Sequence, residues 1–378
     1  MAKQKKCCAG KDQQRLNKVG GQAVIEGVMM KAGERTVTTC RKEDKSLVVY
    51  DGSFVSVRKK HKFLNIPILR GVINFIEMMI LSVKTLSNSA DALGIEDEEG
   101  KFEKWMKKHL GIGTTAIIMT ISVILGIALA LFLFMFLPNF ISSLIDKYLL
   151  DGKLGLWTAV VEGVIKIAIF LTYLWLVSLI PDIKRTFMYH GAEHKSIACF
   201  ESGSELTPEN AKNYTRFHPR CGTSFMFFMI LLGVFAGLFV KMIFPGLHFL
   251  AYTGIRLLIL PLVMGLGYEF IMFAGKHDNF FTRAMSAPGL WVQRLTTKEP
   301  TEDMLEVAIT SIKCALRDDF PEFMEFYNAR PWEKSEESAD KGEAAVEEDA
   351  SNTEASEEEK AIEAAEEKNE QNEAIDGN

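Results

Sequence analysis

Thr114–Leu137, TTAIIMTISVILGIALALFLFMFL, is a run of 24 residues without a charge. Coiled as a helix it would reach about 36 Å at about 1.5 Å per residue, longer than a hydrocarbon core of roughly 30 Å. A helix apolar on every side has no face to offer water. The run therefore predicts a membrane span, and the chain around it an integral membrane protein.

Three further runs repeat the signal. Trp157–Ile180 is apolar except for Glu162 and Lys166 and stops at Pro181. Thr223–Phe244 carries only Lys241, near enough to its end to snorkel. Ile255–Gly275 starts beside Arg256, holds Glu269 near its far end, and contains Pro261, which a span tolerates. The expected fold is a mainly α-helical membrane protein with four transmembrane helices (114–137, 157–180, 223–244 and 255–275) and a small β-rich N-terminal cytoplasmic unit.

Orientation follows from Lys and Arg placement. Lys101, Lys104, Lys107 and Lys108 precede the first span, and the connection 181–222 holds Lys184, Arg185, Lys195, Lys212, Arg216 and Arg220. The other two connections are poorer, with Lys147 and Lys153 in one and Lys241 and Arg256 bracketing the other. Both termini and the 181–222 connection are expected in the cytoplasm, at the plasma membrane of a bacterium-type cell.

Charge separates the tail from the body. Residues 333–378 carry a net −14, so the chain's −6 leaves +8 on residues 1–332. A basic body suits an anionic bilayer surface. It has no stripe of Arg and aromatic residues that would point to nucleic acid, so none is expected as partner. The bilayer is the expected partner, with other membrane proteins as a further class. The tail 331–378 and the first residues, 1–19, are expected to be disordered. The six cysteines have no framework spacing and read as reduced thiols.

Residues 20–60 read as the β-rich unit, from short Val/Thr/Ile runs with a hairpin signal at Asp51-Gly52. Residues 64–94 predict a helix with Pro67 in its first turn and Gly94 past its end. Arg70, Asn74, Glu77 and Lys84 interrupt its apolar stretch, which suits a helix on the membrane surface or against the bundle. The segment 288–330 reads as cytoplasmic, with Met304, Leu305, Ala308, Ile309 and Ile312 on one side of a helix.

The connection 181–222 holds the chemistry. His190-Gly-Ala-Glu193-His194 places two imidazoles four apart, on one helical face, where both reach one ion. Glu193 between them can take a proton, the residue order of inverted zincins. His218-Pro-Arg-Cys221 adds two donors at the other end of the connection. Three histidines and a thiolate suit a divalent metal, zinc first. Four protein ligands would make the site structural; three would leave a position open for catalysis. Each pair also has an ordinary reading as a solvated surface or a small-residue helix entry. Within the spans, Glu162 and Lys166 are four apart and can neutralise each other. No chain of Asp, Asn or His suggests an ion pathway, so a transporter is disfavoured.

Several segments resemble the YqhQ-like family: GGQAVIEGVMM at 20–30, PILRGVINFIE at 67–77 and YHGAEHKSIACFE at 189–201. HPRCGTSF at 218–225, LILPLVMGLGYE at 258–269 and PGLWVQRLTTKEP at 288–300 do so too. The likeness covers roughly residues 19–316. It implies a bacterial integral membrane protein described as a predicted metal-dependent enzyme. From the residues, two functions compete: a metal-dependent hydrolase at the cytoplasmic face with Glu193 as base, or a non-enzymatic factor for membrane-protein biogenesis with a structural metal.

Overall fold

The computed structural model describes residues 15–329 except 17, 95–113, 219 and 277–279. Of the segments expected to be disordered, 1–19 and 331–378, residues 1–14 and 17 and the tail lie outside the described residues, as do Lys101–Lys108, whereas Val19 is buried in the first strand.

A four-stranded antiparallel meander opens the chain: β1 Val19–Val24, β2 Gly27–Ala32, β3 Arg35–Arg41 and β4 Leu47–Ser53. Sequence patterning places a hairpin at Asp51-Gly52, but both residues lie inside β4, opposite Val37 and Thr36. The first hairpin instead turns at Ile25-Glu26, within a run that looks continuous. Glu26 adopts φ 48°, a conformation rare for a residue with a side chain. Its carbonyl accepts from Arg41 N at 2.8 Å, and its carboxylate pairs with Arg185 and accepts from Tyr189 Oη at 3.2 Å. Tertiary partners, not turn propensity, hold this turn.

Helix α1, Leu69–Ala92, covers one face of the sheet. Leu81 and Ala92 pack with Val24, Met29, Cys40 and Val48, and Gln22 bonds Ser82 and Thr85. Its outer side leaves Phe75, Ile76, Met79, Ile80, Val83 and Leu86 exposed.

Four helices are long and apolar enough to cross a membrane: Val123–Leu149, Trp157–Val177, Phe225–Ile243 and Phe249–Phe273. The first belongs to α2, Thr114–Leu131, which passes through a π turn at Phe132–Phe136 into α3, Leu137–Leu149. It runs past 137 because the π turn leads straight into α3, whose first turn accommodates Pro138, a residue with no N–H to donate. Helix α4 is Trp157–Val177 and α7 is Gly222–Ile243. Helix α8 spans Phe249–Lys276, beginning a turn and a half before the expected 255, so Arg256 lies inside it rather than at its mouth.

That placement has an electrostatic reason. Arg256 is buried and pairs with Glu162 of α4, whose carboxylate also accepts from Tyr252 Oη at 3.2 Å and lies 3.5 Å from Lys166 Nζ. Three polar partners surround one acid where sequence spacing offers only Lys166. The acid of α8 itself, half-buried Glu269, pairs with Arg70 at the start of α1. Gly265 and Gly71 permit this approach, since a Cβ at either would meet Ile68 or Tyr268 within 3.0 Å.

The opposite face of the sheet is covered by α5, Pro181–Glu201, and α10, Glu302–Ala315. Val28, Met30, Val37 and Val49 meet Tyr189, Ile197, Leu305 and Ile312 in one core. Between α5 and α10 lie α6, Pro208–Lys212, capped by the Thr207 hydroxyl, and α9, Phe280–Thr296; α11, Pro321–Ala329, closes the described chain.

Candidate metal centre

Helix α5 places its residues by two close approaches. A Cβ on Gly191 would fall 2.0 Å from the Lys298 carbonyl oxygen, so only glycine lets the 296–300 segment cross the helix there. Lys298 N in turn donates to Phe187 O at 2.8 Å. On the other side, a Cβ on Gly21 of β1 would lie 3.1 Å from Glu193 Cγ. These two glycines explain their place in the sequence motifs.

The crossing segment brings Thr296 O to His190, whose Nδ1 donates to it at 2.8 Å. Likewise His194 Nδ1 donates to Arg216 O at 2.5 Å. Each carbonyl can only accept, so it places a proton on Nδ1 and turns the Nε2 lone pair of the neutral ring toward a ligand. The rings stand 4.4 Å apart, and Cys221 Sγ lies 3.2 Å from His190 Nε2. Donor atoms of His190, His194 and Cys221 all lie within 4.8 Å of one another.

Cys221 is the N-cap of α7, so its thiol is tied to the first turn of a candidate span. A buried glutamine fixes the approach: Gln293 Oε1 accepts from His218 N at 2.8 Å, and Gln293 Nε2 donates to His218 O at 2.7 Å. The Cys221 N–H then donates back to His218 O at 3.3 Å.

His218 itself stands apart from the three-donor set. Its ring is 5.6 Å from that of His194, but its Nε2 is turned to Glu201 at 3.8 Å and Arg220 at 3.5 Å. Burial lowers its pKa, with Glu201 pulling the other way. Arg220 pairs with Glu201.

Glu193 is 5% exposed and makes no hydrogen bond or ion pair with the described residues. Burial pushes its carboxyl up to about 7, against the opposing pull of His190. A buried carboxyl poised near neutrality within electrostatic reach of His190 is equipped to exchange a proton.

The donor set fits a small thiophilic or borderline cation. Tetrahedral zinc would need its ligands about 3.3–3.8 Å apart, so the widest separation must close by about 1 Å. Sequence reasoning singled out His190, Glu193, His194, His218 and Cys221 but missed Gln293, Thr296, Glu201 and the carbonyl of Arg216. Gln293 and Thr296 were visible only as polar residues within the motif at 288–300; backbone carbonyls leave no sequence signal.

A family model described as a protein of unknown function (DUF1385) matches residues 66–318, which include all five candidate residues. The chain is 34% identical over 305 residues to "Uncharacterized protein YqhQ" of Bacillus subtilis (strain 168), covering 79% of this chain and 92% of that one. No solved structure matches it. By the extent of both matches, the chain belongs to the DUF1385 family of YqhQ-like proteins.

Proposed function

We propose that this protein is a metal-dependent hydrolase of the bacterial plasma membrane, with both termini and its active centre on the cytoplasmic side. The observation that carries the reading is the buried Glu193, within electrostatic reach of His190 and without a hydrogen bond or ion pair to the described residues, on the helix that carries two imidazoles whose Nδ1 atoms are committed to carbonyls. In this account His190, His194 and Cys221 hold the ion, zinc by the softness of the set. The ion would supply Lewis acidity to polarise the scissile group. Glu193 takes the proton of the attacking water and returns it to the leaving group. Arg220, held by Glu201, supplies a positive hydrogen-bond donor beside that centre. The cytoplasmic side follows from the excess of Lys and Arg in the 181–222 connection.

A second reading, a non-enzymatic membrane-protein factor, draws on Cys221 as the cap of α7. There the ion would only pin α5 to the candidate span. Complementation of a deletion strain separates the two. Glu193→Gln abolishes function in the hydrolase account while protein level is kept. Full complementation by Glu193→Gln, with failure of His194→Ala, would leave the factor reading standing.

A further inference from the structure

A lateral groove of about 880 Å³ lies between α4, the start of α7 and α9. Leu171, Trp175, Phe227, Trp291 and Leu295 give it apolar walls. It shares a helix with the candidate centre: Trp291 and Leu295 line it, while Gln293 and Thr296 hold His218 and His190. Phe227 follows Cys221 by six residues on α7, about 9 Å along the helix axis. The groove thus begins about one and a half helical turns from the thiol.

Its mouth has the chemistry of a membrane interface. Trp291 is 69% and Trp175 52% exposed, as rings at the headgroup level are. Arg294 lines the same groove, stacks 4.9 Å from the Trp291 ring and makes no ion pair with the described residues. None of the groove's lining residues is acidic. A cation left open above an apolar slot complements an amphiphile with an anionic head.

We infer that this groove binds one acyl chain of an anionic phospholipid, placing the head beside Arg294 and within reach of the His190–Cys221 cluster. Lipids of this class would then be the substrates, an extension that rests on the hydrolase reading; the binding itself does not. Size favours a chain over a peptide. A helix about 10 Å across fills roughly 400 Å³ per turn, so the groove would take about two turns where a span needs about five or six.

The test is photolabelling of the full chain in nanodiscs with phosphatidylglycerol bearing a diazirine on one acyl chain, read by peptide mass spectrometry. Labels should concentrate on the peptides holding Leu171 and Leu295. Leu171→Trp, which fills the slot, should cut labelling there by on the order of tenfold, while Leu171→Ala keeps it and reports on folding. A phosphatidylcholine probe should label about fivefold less, a preference expected of one basic side chain near the surface and lost in Arg294→Gln. Even labelling of every apolar helix, unchanged in Leu171→Trp, means annular lipid only and overturns the assignment, as does equal labelling by the two probes. Labelling should persist in Glu193→Gln and after chelation, so a wild-type chain that labels fully yet hydrolyses no lipid condemns the hydrolase reading and not the groove.

Discussion

Gly191 and Lys298 touch backbone to backbone: a single added methyl on the glycine would fall 2.0 Å from the lysine carbonyl. The contact matters because Thr296, two residues before Lys298, orients His190. Gly191→Ala should therefore push the crossing segment away and release the His190 tautomer. Loss of such an outer partner typically weakens metal affinity by about 10–100-fold. Competition against a zinc chelator measures this, and an unchanged affinity would detach the crossing from the centre.

Gln293 holds the His218 backbone through both its amide atoms. Gln293→Leu keeps the volume and strands one buried N–H and leaves one carbonyl weaker. Each unsatisfied group costs about 1–3 kcal/mol. The variant should melt earlier than wild type in the same detergent, and zinc should recover less of the loss than it does for a Leu81→Ala control in the α1–sheet core.

Arg256 and Glu162 form a pair that neither run reveals alone. Arg256→Met leaves the buried acid with Lys166 and Tyr252 only, and should destabilise by about 3–5 kcal/mol. Arg256→Met combined with Glu162→Gln should recover part of that. A double variant no better than the single one would show that the charges are not coupled.

Thiol chemistry offers a pH-dependent check. Burial pushes Cys40 and Cys314 up to about 12 and Cys199 to about 11. Only the thiolate alkylates, so at pH 8 roughly one part in ten thousand of Cys40 or Cys314 is reactive. Raising the pH toward 10 should speed their labelling about tenfold per unit in the folded chain. Cys221 should differ from all three in being protected by added zinc, a contrast that peptide mapping after iodoacetamide resolves.

How much of this was legible depends on the kind of signal. Apolar length makes the four helices visible, because runs of 19 or more residues with few charges are long and apolar enough to cross a membrane. Their ends are less so: a π turn carries the first one past Pro138, and burial against Glu162 draws Arg256 inside the last. The helical spacing of His190 and His194 is local and readable. The return of Cys221 to them is not, since it depends on Gln293, 72 positions further on. The Asp51-Gly52 pattern misleads for a related reason: Glu26 turns the chain with partners supplied by α5.

Metal content is the most direct test of the central claim. Full-length protein purified without chelators, analysed by plasma mass spectrometry, should carry one zinc ion per chain. Glu193→Gln should retain it, while His190→Ala, His194→Ala and Cys221→Ser should lose it. His218→Ala should keep most of it, because His218 lies outside the three-donor set. A metal-free wild type, or zinc retained in full by His194→Ala and Cys221→Ser, would contradict the account.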